Sequence, residues 1–253
     1  MYIVFIVGTA GSGKSLLTAS YTEWLKTSKQ KVTTLNLDPG VVTLPYSPDI
    51  DVRDYVSIGE LMEKHGLGPN GALVMAADLI AEETDSIAEE IENEGPDVVI
   101  VDTPGQMELF AFRASGPYIV SELTKEPKAL VYLFDSVFSS NPLNYVSNLF
   151  LSAALYSRFF VPQAYVLSKS DLLPPDKLNL VVDWSANPKK LETAIEKSLS
   201  GIKLLLSRDT MQVIHRLGLK FLLTPVSSKT YEGFLNLNAI LERILAGGEK
   251  FTY

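Results

Sequence analysis

Near the start of the chain, "GTAGSGKS", Gly8 to Ser15, follows the apolar run "YIVFIV" and opens a helical pattern. A triphosphate carries several negative charges, and glycine-rich backbone can aim successive N–H groups at them from the positive end of a helix. In the pattern G-x-x-x-x-G-K-[ST] the lysine reaches the β- and γ-phosphates and the hydroxyl ligates Mg²⁺. This assigns a nucleotide-binding set of Gly11, Ser12, Gly13, Lys14, Ser15 and Leu16, with Lys14 on phosphate and Ser15 on the metal.

Two carboxylates stand where they would meet that loop. In "TLNLDPG" Asp38 ends an apolar run, where it can hold Mg²⁺ through water or position an attacking water. An isolated Asp-Pro is a turn former, and only the neighbouring phosphate loop gives Asp38 chemistry. In "DVVIVDTPGQMELF" a buried strand ends in Asp102, which meets the metal shell, while the Gly105 N–H senses the γ-phosphate. Gln106 and Asp38 are equal candidates for handling the water. Glu108 reads as a solvated carboxylate at a helix start.

A third strand end, "AYVLSKSD", speaks to the base. Guanine presents two donors on its Watson–Crick edge, which one carboxylate accepts together; adenine presents no such pair. Asp171 would select guanine, the Lys169 stem would cover the ring face, and "TPVSSKT" would offer the Ser228 or Lys229 backbone N–H to the guanine O6.

The elements that must position these residues are legible as alternation. The apolar runs "YIVFIV", "KVTTLNL", "DVVIV", "ALVYLF", "QAYVL" and "KFLLT" are separated by helical patterns. Such order predicts an α/β, doubly wound, mostly parallel sheet flanked by helices. The stretch from Pro39 to Val56, with three prolines, reads as a long functional loop. The 253 residues, 46% hydrophobic, suit a single domain over 1–253 with an insertion at about 39–95.

Twenty-two basic against 30 acidic residues give a net charge of −8, which argues against direct nucleic-acid binding. Zero cysteines exclude disulfides and thiolate metal sites, and "MYIVFIVG" lacks a signal-peptide pattern. The expected compartment is the cytoplasm. "NYVSNLFLSAALYSRFFVPQAYVL" is interrupted by Asn148, Arg158 and Pro162, so it predicts a buried helix feeding a buried strand, not membrane insertion. His65 reads as a helix cap, Arg53 and Arg113 as surface ion pairs, and the aromatics from Phe150 to Phe160 as a core stripe with a possible dimer role.

Taken together, "GTAGSGKS", "LDPG", "PYSPDIDVRDYVSIGELMEKHGLGPNGA", "DTPGQMELF", "SKSD" and "SSK" resemble the GPN-loop GTPases. These lie in the class of P-loop proteins that includes signal-recognition GTPases and MinD-like ATPases. The resemblance implies a Mg²⁺-dependent GTPase acting as a homodimer, with Gly68, Pro69 and Asn70 at the dimer interface and Asn70 reaching the partner's site in trans. It also implies a nucleotide-driven change of shape that serves a protein client. In eukaryotic relatives that client relates to RNA polymerase II; a cysteine-free chain without an extended tail looks more like an archaeal member. Ser168 departs from the family pattern, which usually carries Asn there to brace the phosphate loop. Two other readings compete: a P-loop kinase, which would want an arginine-rich lid not found here, and a non-catalytic GTP-dependent dimeric scaffold.

Overall fold

The computed structural model describes residues 1–198 and 221–245. Among the described residues seven strands form one sheet in the order β3-β2-β4-β1-β5-β6-β7. They span Tyr2–Gly8 (β1), Val32–Asn36 (β2), Ile50–Asp51 (β3), Val98–Asp102 (β4), Lys128–Asp135 (β5), Gln163–Ser168 (β6) and Leu223–Pro225 (β7). Every pairing is parallel, from β2 with β3 at one edge to β6 with β7 at the other. Lys220, with which the last predicted strand begins, lies outside the described residues.

Alternation along the strands divides the core. Val4 and Ile6 of β1 face one layer with Leu17, Tyr21 and Leu25 of α1 (Lys14–Thr27) and Phe234, Leu237 and Leu241 of the last described helix, Phe234–Leu245. Ile3, Phe5 and Val7 face the other, against the helices between β3 and β7. Among the described residues the helices between β3 and β7 are α2 (Ile58–His65), α3 (Pro69–Glu82), α4 (Thr84–Glu94), α5 (Met107–Ala111), α6 (Ser115–Glu122), α7 (Ser136–Ser139), α8 (Pro142–Phe159), α9 (Pro175–Ala186) and α10 (Pro188–Ser198). Central strands covered on both faces must be apolar throughout, and β4 is buried at all five positions. Among the described residues no helix is long and apolar enough to cross a membrane; α8 instead lays Leu149, Leu155 and Phe159 on the core.

Two local expectations change. The proline-rich stretch is not wholly irregular: Ile50 and Asp51 add the edge strand β3, and Val52–Asp54 form a 3₁₀ turn. Polar pairs hold it there, because the Asp49 carboxylate accepts from Thr34 N and Oγ1 (both 2.7 Å) and Asp51 Oδ1 accepts from Asn36 Nδ2 (2.9 Å). Second, "GPNG" is less a turn than a helix start. Gly66, with φ of 61°, closes α2 through its N–H, in place of the cap expected from His65. Gly68 is then the N-cap of α3, Pro69 takes its first turn, where a missing N–H costs nothing, and Asn70 follows inside the helix.

Candidate active site

The carboxyl ends of β1, β2 and β4 converge where the strand order reverses, the place at which open α/β sheets bind ligands. Between β1 and α1 the loop turns through Gly11 (φ 75°) and Gly13 (φ 96°), conformations that disfavour side chains. Gly11, Gly13, Lys14, Ser15, Leu16, Asp38, Pro45, Thr103 and Gly105 line a pocket of about 340 Å³. The ammonium of Lys14 is turned back on the loop, donating to Gly8 O (3.1 Å) and Thr9 O (3.3 Å). Burial lowers the Lys14 pKa, against the opposing pull of Asp102 and Asp38. It is therefore a desolvated cation whose present partners are only carbonyls.

Asp102, at the end of β4, is 1% exposed. Burial pushes its carboxyl up to about 6, although the nearby Ser15 hydroxyl, Lys14 and Tyr46 favour the charged form. Oδ2 accepts from the Tyr46 hydroxyl (3.2 Å), while Oδ1 has no hydrogen-bond partner among the described residues. A buried carboxylate oxygen left unsatisfied next to a serine hydroxyl suits a hard divalent cation, which takes oxygen ligands and keeps part of its water. The residues present thus fit Mg²⁺.

Asp38 bridges two backbones: Oδ1 accepts from Gly40 N (2.9 Å) and Oδ2 from Gly105 N (2.8 Å). The Gly105 N–H expected to face a γ-phosphate is thus engaged by Asp38 here. Behind it, Asn36 Oδ1 accepts from Asp38 N (3.0 Å), and the Asp51 carboxylate anchors Arg53, whose Nη1 donates to Val41 O (3.1 Å). Arg53 is accordingly an ion-paired brace of this loop; Arg113 pairs with Asp78 (3.0 Å) on the surface. Gln106 is exposed at the N-cap of α5, and Glu108 is exposed in its first turn.

On the base side, Ser168 Oγ donates to Ser12 O (2.8 Å). The shorter side chain thus still braces the phosphate loop. Lys169 takes a left-handed conformation (φ 56°) and its ammonium donates to Gly11 O (2.5 Å) and Asp135 Oδ2 (2.6 Å), so its stem runs along the loop. Asp171 follows in the 3₁₀ turn Ser170–Leu172, exposed, with Oδ1 accepting from Ser227 Oγ (2.8 Å). Ser228 and Lys229 lie in the turn after β7, beside Ser227. Sequence reasoning overlooked Ser227, although it stands in the quoted "SSK", and gave no role to Tyr46 of "PYSPDID".

Between α3 and the segment after β4 lies an apolar cleft of about 260 Å³ lined by Leu37, Leu73, Ile80, Leu109, Phe110 and Ile119, with Asp38, Gly105 and Gln106 at its polar end. Asn70 is exposed, at the opening turn of α3, and is not among the residues lining this cleft or the phosphate pocket.

Comparison with known proteins bears on this geometry. Over 247 residues the chain is 33% identical to a GPN-loop GTPase of Pyrococcus abyssi, covering 94% of this chain and 95% of the relative. The chain belongs to the GPN-loop GTPase family. A solved structure of a Pyrococcus abyssi GTPase in its apo form superposes with a TM-score of 0.86 at 30% identity, covering 98% of each chain. GPN-loop GTPase 1 of Dictyostelium discoideum is 34% identical over 172 residues, 67% of this chain and 43% of the relative. The chain spans about half the length of several such eukaryotic relatives. A family model described as "Conserved hypothetical ATP binding protein" matches residues 6–247, so the family's own descriptions differ on the nucleotide. The name-giving Gly-Pro-Asn corresponds here to Gly68, Pro69 and Asn70.

Proposed function

We propose that this GPN-loop protein hydrolyses GTP to GDP and phosphate with Mg²⁺, as a homodimer in which Asn70 of one chain completes the partner's site. The observation that carries the reading is the convergence of Lys14, Ser15, Asp38 and Gly105 on one pocket, with Asp102 buried beside Ser15 and Asp171 beyond the loop. Phosphoryl transfer asks the protein mainly for positioning and charge stabilisation. Lys14 would exchange its carbonyl partners for β- and γ-phosphate oxygens. Ser15 and Asp102 would hold Mg²⁺, which when bound would neutralise charge on the β- and γ-phosphates. The Gly105 N–H would leave Asp38 for the γ-phosphate, freeing the Asp38 carboxylate to accept a hydrogen bond, and then the proton, from the attacking water, with Gln106 close to the same water.

The exposure of Asn70 supports action in trans, since a side chain absent from its own pocket lining can be presented to a neighbour. A preorganised helix start delivers that amide with little ordering cost. The same release of Gly105 and Asp38 would link nucleotide state to a change of shape serving a protein client. Cytoplasmic residence suits such a role. Guanine over adenine follows from the Asp171 acceptor pair, and the kinase and scaffold readings draw no specific support from the geometry.

The trans arrangement is tested by mixing chains. An Asn70→Ala chain and a Lys14→Ala chain, each slow alone, should regain activity when mixed, because one site then has its own Lys14 and its partner's Asn70. Mixing without recovery, once hetero-dimers are shown to form, would place Asn70 in cis or outside the reaction.

A further inference from the structure

Beside the nearby Ser15 hydroxyl, the Asp102 carboxylate is met by a donor from a residue far away in sequence. Tyr46 lies on the loop between β2 and β3, and its hydroxyl donates to Asp102 Oδ2 at 3.2 Å. This leaves the two carboxylate oxygens unequal: Oδ2 is held, and the buried Oδ1 remains free. A carboxylate with one oxygen fixed by an uncharged donor has its rotation set and its other oxygen aimed. Next to it Pro45 lines the phosphate pocket with Lys14 and Ser15, so the backbone carrying the phenol is part of the pocket wall.

The loop itself is fastened from behind. Arg53 Nη1 holds Val41 O, and Asp49 N donates to Thr34 Oγ1 (3.0 Å) and to Thr34 O (3.1 Å). Both anchors flank Tyr46, one on each side in sequence. The phenol is therefore positioned by strand β2 and by the Asp51–Arg53 pair, not by contacts of its own tip alone. Outer partners of this kind fix the orientation of a ligating carboxylate, and their removal typically costs about 10–100-fold in metal affinity.

We propose that Tyr46 is a positioning residue for the metal: its hydroxyl locks Asp102 so that Oδ1 faces the cation and its water shell. This rests on the reading of Ser15 and Asp102 as the Mg²⁺ site. Tyr46 makes no direct contact with nucleotide in this role. Its loss should be felt through the cation and not through the phosphate loop.

The test is binding of a fluorescent, non-hydrolysable GTP analogue to the full chain, titrated with Mg²⁺ and repeated in EDTA. Tyr46→Phe should raise the Mg²⁺ concentration at half-effect about ten-fold while leaving the affinity in EDTA unchanged. In an Asp102→Asn background the same change should then have no further effect. An unchanged Mg²⁺ midpoint, or an equal loss with and without Mg²⁺, would overturn the proposal; so would a lowered midpoint, which would make the phenol a competitor of the cation. A wild-type protein indifferent to Mg²⁺ would remove the metal site and this role together, which separates the two failures. Should Tyr46→Phe not fold, wild-type chain carrying 3-fluorotyrosine at position 46 answers instead: its ¹⁹F resonance should move when Mg²⁺ joins the bound nucleotide, and a resonance that stays put overturns the role.

Discussion

At the carboxyl ends of β1, β2 and β4 the functional groups are buried and cross-braced: Lys14 is 6% exposed, Asp102 is 1% exposed, and Asp38 ties Gly40 to Gly105. At the ends of β6 and β7 the groups assigned to the base are set otherwise. Asp171 and Lys229 are exposed, and among the described residues one side-chain hydrogen bond, from Ser227, steadies Asp171. The difference separates two tasks. A phosphate chain is the same in every nucleotide, so its cradle can be rigid, desolvated and prebuilt, which makes each charged contact strong. A base is recognised by a few edge groups, and an exposed acceptor keeps its hydration until the right edge replaces it. Changes on the phosphate side should therefore strike binding and turnover of any nucleotide, and changes on the base side should redirect choice.

The largest effect is expected at Lys14. Lys14→Ala should lower turnover by about 10²–10³-fold, measured as phosphate release at saturating nucleotide, and it should do so for GTP and ITP alike. A loss confined to one base would blur the division between the halves. Asp171→Asn comes next: GTP affinity should fall by about ten- to a hundred-fold for loss of a charged acceptor, while xanthosine triphosphate, with its C2 carbonyl, gains. Competition binding of the two nucleotides checks this, and retained GTP preference would remove Asp171 from base selection. Ser168→Ala touches the seam between the halves, because it deletes the bond to Ser12 O. An affinity loss of about five-fold, the worth of one ordinary hydrogen bond, should be equal for GTP and XTP by calorimetry. A loss that favours one base would move Ser168 into the base half.

The same contrast explains what the sequence disclosed. The phosphate loop is one contiguous motif whose glycines, lysine and serine each have a separate mechanical reason; β4 is apolar up to Asp102, and β2, buried at every position, ends two residues before Asp38. Those parts of the fold are found where they were expected. The edge strand β3 was not legible, since Ile50 and Asp51 are too few for an alternation and are held by Asn36 from another strand. Tyr46 was hidden for the same reason: a tyrosine in a proline-rich loop gains meaning only when the chain brings it 3.2 Å from Asp102. The amide of Gly105 was assigned from its place after β4, whereas its present engagement by Asp38 depends on two segments meeting. The start of α3 at Pro69 was legible in principle, because proline suits a first helical turn, but three glycines nearby argued more loudly for a turn.

The central claim is a GTPase site that needs a second chain. It is met most directly by measuring phosphate release from GTP and from ATP with Mg²⁺, for the wild type and Asn70→Ala, over protein concentrations that span dimer dissociation. The account predicts release from GTP but not ATP, specific activity that rises with protein concentration, and slower turnover in Asn70→Ala at nearly unchanged nucleotide affinity. Activity that is independent of concentration and indifferent to Asn70, or GTP that binds without turning over, would contradict it.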